Sequence, residues 1–123
     1  MKTIAVLGAS SHHEKFGNKC VRAYLSAGWQ VFPVHPAETE IEGLPVYRRL
    51  ADVPAELGRI SVYLPPERTL EMLEDIAAKG AGEVWLNPGS ADARVLDEAR
   101  RRGIPAVPGC SIVDIGLSPA RFP

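Results

Sequence analysis

The chain has 123 residues, of which 46% are hydrophobic and 24% charged, and its net charge is −1; a domain of this length buries about two thirds of its unfolded surface. The near-zero charge lacks the basic excess of a general nucleic-acid binder, and no apolar run approaches the ~20 residues that cross a bilayer. Cys20 and Cys110 lie far apart with no C-x-x-C between them, so no disulfide framework is expected and a reducing cytoplasm is the expected compartment.

Met1-Lys2 leads straight into the apolar run Thr3-Ile4-Ala5-Val6-Leu7, so no signal peptide is expected. The run stops at Gly8-Ala9-Ser10-Ser11, and a helical segment follows to Gly28. Ser11 with Glu14 three residues on fits a capping box, while Gly17-Asn18 interrupts the helical pattern and makes Asn18 an alternative start. A second apolar run, Trp29 to Val34, completes strand, glycine turn, helix, strand. That is a βαβ unit, with a phosphate-binding helix end at its first turn. No G-x-G-x-x-G is present, and Val34-His35-Pro36 carries no acid at the strand tip to hold a ribose hydroxyl.

Further on, Val46, Tyr47, Leu50 and Ala51 suggest a short helix that ends at Val53-Pro54. Ile60-Ser61-Val62-Tyr63-Leu64 reads as a third strand from its β-branched and aromatic residues. Pro66 suits the first turn of a helix whose apolar face is Leu70, Leu73, Ile76 and Ala77, with Gly80 as its stop. A fourth strand is followed by a helix with Asp92 in its first turn, Arg100, Arg101 and Arg102 in its last, and Gly103 beyond. The five strands are expected at about 3–8, 29–34, 59–64, 83–87 and 104–107. No repeat, low-complexity tract or linker divides the chain. The expectation is one α/β domain over residues 1–123, a Rossmann-like doubly wound parallel sheet of about five strands with right-handed crossovers.

Ligands on such sheets bind beyond the carboxyl ends of the strands, where strand order reverses. The segments to examine are therefore Gly8 to Asn18, His35-Pro36, Pro65-Pro66, Asn87-Pro88-Gly89-Ser90 and Pro108-Gly109-Cys110. Gly8 permits close backbone approach to a diphosphate, and Ser10 and Ser11 add hydroxyl donors. Lys15, Lys19 and Arg22 either neutralise a polyphosphate or form a solvated helix face. His35 either contacts an adenosine or caps a strand edge. His12 and His13 are adjacent, so their side chains diverge, and with no third ligand at metal spacing they read as loop residues. Cys110 lacks a readable His partner and reads as a small hydrophobe. Cys20, Trp29 and Trp85 read as packing. No catalytic constellation is evident.

Ile4 to Ser10, Lys15-Phe16-Gly17-Asn18-Lys19 and Val31-Phe32-Pro33-Val34-His35-Pro36 resemble the small CoA-binding proteins, relatives of the N-terminal domain of the succinyl-CoA synthetase alpha subunit. The likeness continues through Ile41 to Tyr47, Val62 to Pro66, Val84 to Gly89 and Gly109-Cys110. It implies a Rossmann-like fold with coenzyme A or an acyl-CoA as ligand. The diphosphate would sit on Gly8, Ala9, Ser10 and Ser11, near Lys15, Asn18 and Lys19. Adenosine would lie by Pro33, His35 and Pro36, and pantetheine would pass Pro65, Pro66, Asn87 and Pro88. Many members carry a basic residue soon after that second-strand proline. Ala37 and Glu38 stand here instead, and an acid would repel the CoA 3′-phosphate. The synthetase's phosphorylated histidine and ligase domains have no counterpart, so the resemblance implies a binding module, not a ligase. Two alternatives remain: an enzyme using an NAD-type nucleotide cofactor, and an interaction module with a vestigial pocket.

Overall fold

In the computed structural model, which describes residues 2–123, five parallel strands form one sheet. They are β1 (Thr3–Leu7), β2 (Gln30–Val34), β5 (Arg59–Val62), β6 (Glu83–Leu86) and β7 (Ala106–Pro108). The order across the sheet is β2-β1-β5-β6-β7, so β1 pairs with β2 on one side and β5 on the other, and strand order reverses between β1 and β5. Helix α1 (Phe16–Ser26) joins β1 to β2, α2 (Pro66–Lys79) joins β5 to β6, and α3 (Ala93–Arg101) joins β6 to β7; the short α4 (Ser111–Asp114) follows β7.

Strand periodicity divides the core into two layers. Ile4, Val6 and Val31 pack with Cys20, Val21 and Tyr24 of α1 and with Ile112 of α4. Ala5, Leu7, Ile60, Val62, Val84 and Leu86 pack with Leu73 and Ile76 of α2 and with Val95 and Ala99 of α3. Both faces of β1 are covered, which is why its sequence is an unbroken apolar run.

Three boundaries differ from the sequence reading. Helix α1 begins at Phe16, with Lys15 in extended conformation as its N-cap and no capping side chain. Ser11 does not cap it, and Gly17-Asn18 does not interrupt it: both are buried in its first turn. Gly17 packs against the Gly8 carbonyl, where an added Cβ would fall within 3.0 Å of that oxygen, so backbone proximity rather than a cap sets the start. Between β2 and β5, Val46 and Tyr47 are not helical. A two-residue hairpin turn at Glu42 (φ 50) and Gly43 (φ 78) joins β3 (Glu40–Ile41) to β4 (Leu44–Pro45), the backbone pattern that suits right-twisted strands. Tyr47 then lies parallel to Val34, and only Leu50–Asp52 makes a 3-10 turn. Finally, β7 starts at Ala106, because the Ala106 N–H turns back to the Ile104 carbonyl at 2.8 Å. Asp92 is the N-cap of α3, accepting from the Val95 N–H at 3.2 Å.

Gly17→Ala is expected to lower stability by about 1–3 kcal/mol, the range for forcing a methyl into a packed site. Urea denaturation should show a reduced midpoint at unchanged slope; a wild-type midpoint would mean that α1 can move off the Gly8 turn freely.

Candidate functional site

An open cleft of about 1220 Å³ lies at the carboxyl ends of β1 and β5, where strand order reverses. It exceeds the ~300–1,000 Å³ usual for drug-sized ligands and suits an extended one. Gly8, Ala9 and Ser10 form its head, and Gly8 (φ +90) leaves β1 so close to the Tyr63 carbonyl that a Cβ there would fall within 3.0 Å of it. One end is walled by Val34, His35 and Pro36 at the tip of β2, the other by Leu64 and Pro65 after β5 and by Pro88, Gly89 and Ser90 after β6.

Of the residues expected from sequence, Gly8, Ala9, Ser10, Lys15, His35, Pro36, Pro65 and Pro88 line this cleft. Six others hold its frame. Asn18 is buried; its amide donates to the Ser10 carbonyl (2.8 Å) and to Glu42 (3.1 Å), and its oxygen accepts from Arg22 (2.6 Å). Lys19 and Arg22 both donate to the Phe122 carbonyl at 2.9 Å, so these cations fasten the C-terminal segment to α1. Pro33 lies within β2 and Pro66 opens α2. Ser11 gives its backbone N–H to the Glu38 carboxylate at 3.0 Å.

Asn87 is the sixth, with only 2% of its surface exposed. Its amide donates to Ser61 Oγ and the Val62 carbonyl, both at 2.9 Å, and its oxygen accepts the Ser111 N–H at 2.9 Å. Ser61 Oγ and Ser111 Oγ are 2.7 Å apart. This buried network joins the ends of β5 and β6 to the start of α4. Burial pushes the neighbouring Cys20 thiol and the Tyr63 phenol up, so both stay protonated at neutral pH.

His35 caps a turn: its Nδ1 accepts the N–H groups of Ala37 (3.0 Å) and Glu38 (2.9 Å), which places any proton of the neutral ring on Nε2. His12 lines the cleft, whereas His13 pairs with Glu42 at 2.9 Å. Among the described residues no three His, Cys, Asp or Glu side chains gather as a metal site.

The sequence reading did not pick out Phe16, Arg48, Arg49, Tyr63 or Arg68, all of which line the cleft. Phe16 is 56% exposed on that lining. The lining carries the cations Lys15, Arg48, Arg49 and Arg68 and the acids Glu14, Glu38 and Asp75, a cationic excess in a chain whose net charge is −1. The hydrogen bond from Ser11 holds the Glu38 carboxyl below its ordinary value.

A doubly wound parallel sheet with a glycine turn heading a cleft at its reversal point is a Rossmann-like α/β architecture. The chain belongs to the CoA binding domain family, which matches residues 2–116. It is 24% identical over 137 aligned positions to the alpha subunit of an ADP-forming acetate–CoA ligase from Pyrococcus furiosus, covering 98% of this chain and 29% of that subunit. It therefore spans under a third of that relative. Among solved structures, a conserved hypothetical protein from Pyrococcus furiosus superimposes with a TM-score of 0.85 at 29% identity, over 93% of this chain and 99% of that one. A dinucleotide-forming acetyl-coenzyme A synthetase from Ca. Korarchaeum cryptofilum matches at 0.75 and 25% identity, over 86% of this chain and 25% of that one. Among the described residues, no helix is long and apolar enough to cross a membrane.

Asn87→Ala should leave the buried Ser111 N–H without its acceptor and cost about 1–3 kcal/mol. The melting temperature should fall by roughly 3–10 °C; an unchanged melt would show that the network adds nothing to the fold. Glu38 gives a pH-dependent counterpart. Its carboxyl is held low in the folded state, so its stabilisation is present above the unfolded carboxylate pKa and is lost as pH falls through the lowered folded value. Glu38→Gln, which keeps an acceptor for Ser11 without titrating, should flatten that part of the acid denaturation curve. Superimposable acid limbs for the two proteins would exclude the Ser11 contact in solution.

Proposed function

We propose that the cleft binds coenzyme A or an acyl-CoA and performs no catalytic step of its own. Residues 1–123 would act as one CoA-binding unit in the cytoplasm. The diphosphate lies on the Gly8–Ser11 turn beside Lys15, adenosine lies toward His35 and Pro36, and pantetheine runs past Pro65 and Pro88. The observation that carries the reading is the state of the turn itself. Its Ser11 N–H, next to the lining residue Ser10, already holds an oxyanion, the Glu38 carboxylate, beside a cleft of a volume that suits an extended cofactor. Membership of the CoA binding domain family supports the choice of cofactor.

Glu38 is also the one feature that favours an NAD-type ligand, since an acid beyond the second strand can hold ribose hydroxyls. That carboxylate is engaged by Ser11, however, and the eight residues between Gly8 and Gly17 make a longer turn than a nicotinamide-dinucleotide fingerprint has.

Thermal melting against CoA, acetyl-CoA, dephospho-CoA and NAD tests the reading. A CoA species at ~100 times its dissociation constant should add about 2.7 kcal/mol, raising the melting temperature by roughly 10 °C. NAD should leave it unchanged. In Gly8→Val, once circular dichroism shows it folded, the CoA shift should vanish, because a side chain there blocks the turn. A shift with NAD and none with millimolar CoA would reverse the assignment.

A further inference from the structure

The path of the chain after the hairpin gives the adenosine end of the cleft a feature of its own. Tyr47 extends the sheet beside the tip of β2: its N–H donates to the Pro33 carbonyl and its carbonyl accepts from the His35 N–H, both at 3.0 Å. The next two residues are Arg48 and Arg49, which are thereby delivered to the cleft wall next to His35 and Pro36. Arg49 reaches Asp75 only at 3.7 Å. Arg48 makes no ion pair among the described residues, although most arginines of the chain are paired. The nearby acid Glu38 is bound to the Ser11 N–H. Two guanidinium groups, one unpaired and one weakly paired, thus face the cleft at a point separate from the glycine turn.

Guanidinium is suited to this use, because its planar fork binds phosphate oxygens bidentately and its charge does not titrate. A ligand with its diphosphate on the Gly8 turn would meet the arginines only through a second, separate phosphate. Taking the cleft as a CoA site, on which this inference rests, we propose that Arg48 and Arg49 bind the ribose 3′-phosphate and make the protein selective for CoA over dephospho-CoA. The arrangement offsets the repulsion that Glu38 exerts on the same group, since Arg48 makes no ion pair among the described residues and Arg49 is held by Asp75 only at 3.7 Å.

Titration calorimetry of the whole chain with CoA and with dephospho-CoA, at low and at moderate salt, tests this directly. Wild type should prefer CoA by about ten-fold at low salt, less as salt screens exposed charges. The double substitution Arg48→Ala/Arg49→Ala should remove that preference while changing dephospho-CoA affinity less than about two-fold. The single Arg48→Ala should show part of the effect. Arg100→Ala, which removes an equal charge from the outer end of α3, should leave both affinities unchanged. Adenosine 3′,5′-bisphosphate against AMP should repeat the contrast without the pantetheine arm. Equal weakening of both CoA species by the double substitution, or a wild type without preference, would overturn the arginine subsite and leave the cleft assignment standing. Failure of wild type to bind either CoA species would overturn the cleft assignment itself.

Discussion

The close approach of three backbone segments at Gly8 sets the geometry of everything above the sheet. The chain leaves β1 with the Tyr63 carbonyl on one side and the first turn of α1 on the other, and neither Gly8 nor Gly17 has room for a methyl group. Because the Gly8 carbonyl meets Gly17, α1 starts where that contact permits, and residues between Ser11 and Lys15 must loop outward. That loop becomes the head of the cleft, and its backbone N–H at Ser11 finds a carboxylate. Steric constraint at one strand exit therefore determines helix start, loop shape and anion contact together.

A second anchor holds the opposite side of the sheet. Arg59 at the start of β5 lies 5.2 Å from the centres of both the Trp29 and Trp85 rings. It also pairs with Glu83 at 2.9 Å and Asp114 at 2.7 Å. Desolvation opposes its charge, yet Tyr24 and Asp114 outweigh that and keep it firmly protonated. Tyr24 in turn is pushed up to about 12 by burial, so it remains a phenol that donates to the Ser111 carbonyl at 2.7 Å and accepts from Arg59 at 3.0 Å. The chain of contacts from Arg59 through Tyr24 and Ser111 reaches Asn87. The floor of the cleft is continuous with the far end of the sheet through buried polar groups, not only through apolar packing.

The fold was legible because its signals are local. Apolar runs in β1 and β5, the proline and glycine bounds of α2 and the charge bias of α3 each follow from neighbouring residues. The part between β2 and β5 was not. Val46, Tyr47, Leu50 and Ala51 have helical spacing, but Tyr47 is captured by β2 through backbone hydrogen bonds that no spacing reveals. That misreading also hid Arg48 and Arg49, whose place on the cleft wall depends on the same capture. Asn87 illustrates the reverse case. It sits in a post-strand loop, where a ligand contact was the natural expectation, yet its polar partners Ser61, Val62 and Ser111 are internal and lie 26 and 25 positions upstream and 24 downstream. Long-range polar pairing of this kind leaves no trace in a local pattern.

The backbone of the two outermost strands limits how copies of this chain can associate. In β7, the bonds of Pro105 and Gly109 to β6 turn positions 106 and 108 outward. The Ala106 N–H is already used by Ile104, and Pro108 has none. At the other margin, β2 turns Pro33 outward, and Tyr47 covers the backbone beside it. Sheets whose outer strands offer free donors in series invite strand addition and fibrillar growth, and proline and short outer strands are means of preventing it. Both margins of this sheet are blunted in that way, so crowding the protein at high concentration should favour contacts between helices or loops over continuous intermolecular β-structure.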